Sequence, residues 1–254
     1  MGQGPSHDIV HLETRVEDPE NGVNPRGLAL IAHGKGGGDF NVPPIRVLAK
    51  YLRDERQLRV VTWNARGIGR SGGRTEWTDF NNWIGTTGID DYNRMLRESM
   101  SKFAADFPKA QGAQLFICGY SMGAISAGCV RPPPSFRQFG PAHYILVSYP
   151  VDLNPFIYLT RSGSYFQSVE GLIQGYSWVD LPAEFHGLEP EVAGVLIVTP
   201  QWDTFLFYNM WRKILVTKNK RKALKQVVVN GAHHMWGDKA SCVIDEVHEW
   251  LHSL

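Results

Sequence analysis

The sequence predicts an α/β architecture: a mostly parallel, twisted sheet with helices on both faces and a short lid or cap insertion. Three observations carry this expectation. Short apolar runs recur along the chain, helical periodicities lie between them, and 254 residues suffice for one large domain with a substantial core. A single domain over residues 1–254 is expected.

Six runs read as strands: Leu28 to Ala32, Leu58 to Trp63, Gln114 to Cys118, His143 to Tyr149, Val195 to Thr199 and Gln226 to Val229. They are nearly continuous in apolar character, the pattern of strands covered on both faces. Between them, Ile89, Tyr92, Met95, Leu96, Phe103 and Phe107 fall at helical spacing, and the last segment places Ile244, Val247, Trp250 and Leu251 on one helix face. Strand alternating with helix implies parallel pairing.

The rhythm fails twice. Arg131-Pro132-Pro133-Pro134 cannot continue a helix and marks an exposed loop. From Leu153 to Glu191 no strand pattern is present, and Phe156, Tyr158, Tyr165, Phe166, Tyr176 and Trp178 lie among glycines and serines. So long a stretch without core periodicity reads as a lid or cap over residues 153–191. Its aromatics either line an apolar pocket or form the lid's own small core.

Charge and cysteine usage exclude several function classes. The 26 Lys and Arg residues against 25 Asp and Glu give a net charge of +1, so no chain-wide field attracts nucleic acid or an anionic membrane. Cys118, Cys129 and Cys242 are odd in number and widely spaced, which argues against a disulfide framework and a zinc site, and for a reducing, cytoplasmic compartment. No secretory signal or 18-residue apolar run is read, so a soluble chain is expected. Met1-Gly2 with Ser6 fits a loose myristoylation pattern interrupted by Pro5. One such acyl chain binds membranes only marginally, and no stable membrane association is expected.

The chemistry centres on Gly119-Tyr120-Ser121-Met122-Gly123, which follows a strand and opens a helix. There the glycines permit a cramped turn that lifts the serine hydroxyl above the sheet. A serine nucleophile needs a base and an acid that orients the base. Asp203 lies just past the strand ending at Thr199, where it is either that acid or a helix N-cap ahead of Thr204-Phe205. His233 and His234 follow the last strand after the turn Asn230-Gly231-Ala232, as candidates for the base or as polar loop residues. Adjacent residues in extended chain project in opposite directions, so only one of the two can face Ser121. Finally, the loop Ala32-His33-Gly34-Lys35-Gly36-Gly37-Gly38 follows a strand. Its backbone N–H groups, with the N–H after the nucleophile, suit an oxyanion hole. It matches neither nucleotide-binding glycine pattern.

Taken in order, His33-Gly34, Asn64-Ala65-Arg66-Gly67-Ile68-Gly69-Arg70-Ser71, Gly119 to Gly123, and Asp203 with His234 resemble the α/β-hydrolase superfamily, from about residue 10 onward. The likeness is greatest to its small, mostly uncharacterised intracellular members, which carry an N/D-x-R-G-x-G-x-S block and a G-A-x-H block. The resemblance implies Ser121 as nucleophile, Asp203 as acid, His234 as base, and the Met122 and Lys35 amides as the oxyanion hole. Asn64 stands where Asp is commoner, at a position that shapes the loop before Arg66-Gly67. The implied activity is cofactor-free, metal-free cleavage of a small-molecule ester or related acyl compound. An acyltransferase or cyclising enzyme using the same serine, and a non-catalytic binder on the same fold, are the alternatives.

Overall fold

The computed structural model describes residues 10–34, 38–73, 86–149, 192–203 and 224–254. The expected lid at 153–191, Lys35 and the N-terminal Met1-Gly2 pattern lie outside the described residues.

Among the described residues, eleven main elements follow in chain order: β1 (Thr14–Glu17), β2 (Gly27–Ala32), α1 (Pro43–Asp54), β3 (Arg59–Trp63), α2 (Thr86–Asp106), β4 (Ala113–Tyr120), α3 (Met122–Gly128), β5 (Phe139–Val147), β6 (Val192–Trp202), β7 (Leu224–His233) and α4 (Cys242–Ser253). The strands form one seven-stranded sheet in the order β1-β3-β2-β4-β5-β6-β7. All neighbours are parallel except β1, which runs antiparallel to β3.

Period-2 alternation divides the core into two layers. Leu28, Leu30, Leu115 and Ile117 face α2 and α3, while Ala29, Ile31, Phe116 and Cys118 face α1 and α4. β2, β3, β4 and most of β6 are thus buried on both sides, which is why their sequences show no polar alternation. Each helix contributes one apolar stripe. In α1, Ile45, Leu48, Ala49 and Leu52 recur at i, i+3, i+4 and i+7 and are buried, behind Pro43 at the first helical turn. Fully burying each such Ile or Leu contributes about 1.5–3 kcal/mol.

Two differences from the sequence expectation bear on the site. β6 and β7 run past their apolar stretches, to Trp202 and His233. The anticipated turn at Asn230-Gly231-Ala232 is instead strand: the register shifts between Pro200 and Trp202, and pairing resumes at Trp202 with His233. Gly231 takes φ +72° at this irregularity, and its N–H donates to Gln201 Oε1 at 2.7 Å. Bulges of this kind re-aim the residues that follow.

Candidate active site

Ser121 stands between the last residue of β4 and the first of α3, with φ +54° and ψ −124°. A left-handed φ is costly for a residue with a Cβ and persists where the surroundings over-determine it. Here its N–H donates to Val147 O of β5 at 2.9 Å, and its own carbonyl accepts from Ala124 N at 2.9 Å. The flanking glycines are sterically required. A Cβ at Gly119 would run into the Gly123 carbonyl, and a Cβ at Gly123 would strike the Ala32 and His33 carbonyls. Side-chain-free backbone therefore lets α3 start against β2, and Met122, first in α3, has an N–H with no intrahelical acceptor.

Asp203 immediately follows β6 and His234 immediately follows β7, so two neighbouring strand ends present them beside Ser121. His234 Nδ1 lies 2.8 Å from Asp203 Oδ2, and Nε2 lies 3.1 Å from Ser121 Oγ. A carboxylate only accepts, so Nδ1 carries the proton and Nε2 is left to accept from the serine hydroxyl. The Asp203 side chain is fully buried and that of His234 nearly so. His233 is exposed. Of the residues singled out from the sequence, Ser121, Asp203 and His234 meet, Met122 adjoins them, and His233 turns away.

No protein-family model matches the sequence, and no curated protein sequence matches it. Solved structures do. A serine hydrolase homologue from Coxiella burnetii superimposes with TM-score 0.61 at 21% identity, over 99% of this chain and 94% of that one. XC6422 from Xanthomonas campestris, a serine hydrolase without lid, gives 0.58 at 18% identity, over 100% and 96%. Est1E from Butyrivibrio proteoclasticus, with ferulic acid bound, gives 0.58 at 17%, over 96% and 95%. The chain has the α/β-hydrolase fold.

In this α/β-hydrolase fold the loop after β2 is braced from below. His33 is 6% exposed; its Nε2 accepts the Ala65 N–H at 2.8 Å, which leaves Nδ1 to donate to Gly34 O at 2.6 Å. Burial pushes its pKa below the usual histidine value, in keeping with this neutral tautomer. Gly34 then passes so close to the serine that a Cβ on it would sit 2.7 Å from Ser121 Cβ.

The neighbouring Asn64 to Ser71 block is held by a polar hub. Asn64 Oδ1 accepts from Phe40 N at 3.0 Å and its Nδ2 donates to Glu13 Oε2 at 2.8 Å. Glu13 also accepts from the backbone and side chain of Arg70, and these bonds, the backbone one first, hold its carboxyl down at about 2. Arg66 forms a two-point pair with buried Asp91 at 2.8 and 2.9 Å. The Asn at position 64 therefore organises the loop, as the sequence suggests, and its amide N–H is what reaches Glu13.

Two supports of His234 were not singled out from the sequence. Tyr120 Oη donates to His234 O at 2.8 Å, and the two rings lie 5.4 Å apart. The Trp236 indole N–H donates to Ser148 Oγ at 2.8 Å. Cys118 and Cys129 are buried. Among the described residues no three His, Cys, Asp or Glu side chains group as a metal site, and no helix is long and apolar enough to cross a membrane.

Proposed function

We propose that the protein is a serine hydrolase that cleaves a carboxylic ester or related acyl compound through an acyl-enzyme. The observation that carries the reading is the unbroken hydrogen-bonded chain Ser121 Oγ, His234 imidazole, Asp203 carboxylate. Ser121 Oγ attacks the acyl carbon while His234 Nε2 takes the hydroxyl proton. Asp203 keeps Nδ1 protonated and stabilises the imidazolium that forms. The carbonyl oxygen, now negative, is met by the Met122 N–H and, as the family resemblance implies, by the Lys35 N–H. Each such donor is worth about 10²–10³ in turnover. Collapse of the intermediate expels the alcohol, which takes the proton from His234. Water then attacks the acyl-enzyme by the same route, returning the proton to Ser121. No cofactor enters these steps.

Est1E, similar in fold, binds ferulic acid, so aryl-acid esters belong beside p-nitrophenyl esters of graded acyl length in a substrate panel. The deciding test is covalent. A fluorophosphonate probe is expected to label the wild type and to leave Ser121→Ala unlabelled, with hydrolysis lost in the same variant. Labelling that survives in Ser121→Ala would overturn the assignment.

A further inference from the structure

We infer that Ser148 and Trp236 are positioning residues that set His234 against Ser121, an inference that rests on the triad reading above. Four non-glycine residues have left-handed φ among the described residues: Gln57, Ser121, Ser148 and Trp236. Three of the four meet at the carboxyl edge of the sheet, beside the triad. Backbone strain of this kind collects where the surroundings enforce a geometry for use.

Ser148 follows β5 directly, with φ +50° and no exposed surface. A glycine would adopt that φ without strain but would offer no hydroxyl. The hydroxyl accepts the Trp236 indole N–H at 2.8 Å. Trp236, φ +62° and 2% exposed, closes the turn that carries the base: its own N–H donates to His233 O at 2.8 Å. A buried indole N–H commonly finds an acceptor. What makes this acceptor informative is its place in the chain. Val147 O receives the Ser121 N–H at 2.9 Å, the Ser148 N–H donates to Val198 O of β6 at 2.8 Å, and β6 leads into Asp203. The dipeptide Val147-Ser148 is therefore a common reference for all three triad residues. It holds the nucleophile by a carbonyl, the acid's strand by an N–H and the base's turn by a hydroxyl.

Three variants test this in the full chain: Ser148→Ala, Trp236→Phe, which keeps one aromatic ring and removes the donor together with the indole's second ring, and the double variant. With p-nitrophenyl acetate, kcat is expected to fall about ten- to a hundredfold at a KM within twofold, since small misplacements near reacting atoms cost about 10² in rate. The double variant should be no slower than the worse single one, because both changes remove one bond. A downfield proton NMR resonance from His234 Nδ1–H, identified by its loss in Asp203→Ala, should broaden or shift in each variant. A normal kcat and an unmoved resonance, whatever the unfolding temperature does, would overturn the inference. If Trp236→Phe does not fold, Ser148→Gly decides, since it relieves strain and must still lower kcat. If the wild type resists the fluorophosphonate, the triad reading fails by itself and the resonance alone decides the positioning role.

Discussion

A methyl group at position 34 is a sharp probe of the site, because the space it would need is already occupied by the Ser121 side chain. The Cβ of Gly34→Ala would lie 2.7 Å from Ser121 Cβ, 3.2 Å from Ser121 Oγ and 3.3 Å from Tyr120 O. Ordinary carbon contacts lie at about 3.5–4.0 Å, so about 1 Å of separation has to be created. Gly34 is not among the residues with positive φ, and the change tests sterics rather than backbone freedom. Neither side yields freely: Ser121 is pinned by its bond to Val147, and Gly34 by the two bonds of His33. Overpacking of this kind costs about 1–3 kcal/mol. A displacement of about 1 Å at the reacting atoms lowers kcat/KM by about a hundredfold. Urea unfolding, steady-state hydrolysis of a p-nitrophenyl ester and the rate of fluorophosphonate labelling measure the three consequences. A variant with kcat/KM within twofold of wild type and an unchanged urea midpoint would refute the close approach of this loop to Ser121.

Two further outcomes are expected. His234→Ala should lower turnover by several orders of magnitude while exposed His233→Ala stays within about tenfold, and the reverse ranking in steady-state rates would move the base to His233. His143 packs on Phe116 and Trp250, and burial first, then the charge of Arg56, pushes its pKa from 6.5 to about 4. As pH falls, the unfolded chain takes up this proton before the folded one, so the stability is complete above about pH 6.5 and is lost toward pH 4. Between pH 7 and pH 5 the loss is about 2 kcal/mol. His143→Phe should remove that part of the slope. Buried His33 adds a slope of the same sign, so the quantity to compare is the wild-type minus variant difference in urea unfolding free energy at the two pH values. Equal slopes would contradict the placement of His143.

What the sequence made legible follows from what physical context each segment meets. β2, β4 and β6 are readable because burial on both faces leaves long apolar runs, and β7, half-buried beside β6 alone, is readable only from Val227-Val228-Val229. β1, by contrast, is the sequence TRVE at a sheet edge, alternately exposed and half-buried, and four such residues carry no strand signal of their own. α1 could have been found from its i, i+3, i+4, i+7 apolar spacing behind a proline pair; reading the glycine loop before it as the feature of interest passes over it. In the site, the residues with dedicated chemistry stand at strand ends and can be picked out by position. Their supports cannot. The indole of Trp236 and the hydroxyl of Ser148 are 88 positions apart, and nothing local to either residue announces the partner. The same holds for His33, whose imidazole reaches the backbone of Ala65 across a strand and a helix.

His234 rides on the terminal strand of the described sheet: β7 pairs with β6 alone. Its partner Ser121 lies 113 positions earlier, at the centre of the sheet, so their bond exists only while that last strand is docked. The entropy of closing so long a loop grows only logarithmically with length, and the complete fold bears it easily. Local opening is another matter, because edge elements detach at lower free energy than the sheet interior. Fraying of β7 would part His234 from both Ser121 and Asp203 while β2, β4 and β5 stayed intact beneath them. An opening confined to β7 would therefore undo the Ser121–His234–Asp203 geometry in a state that still carries nearly all of the secondary structure.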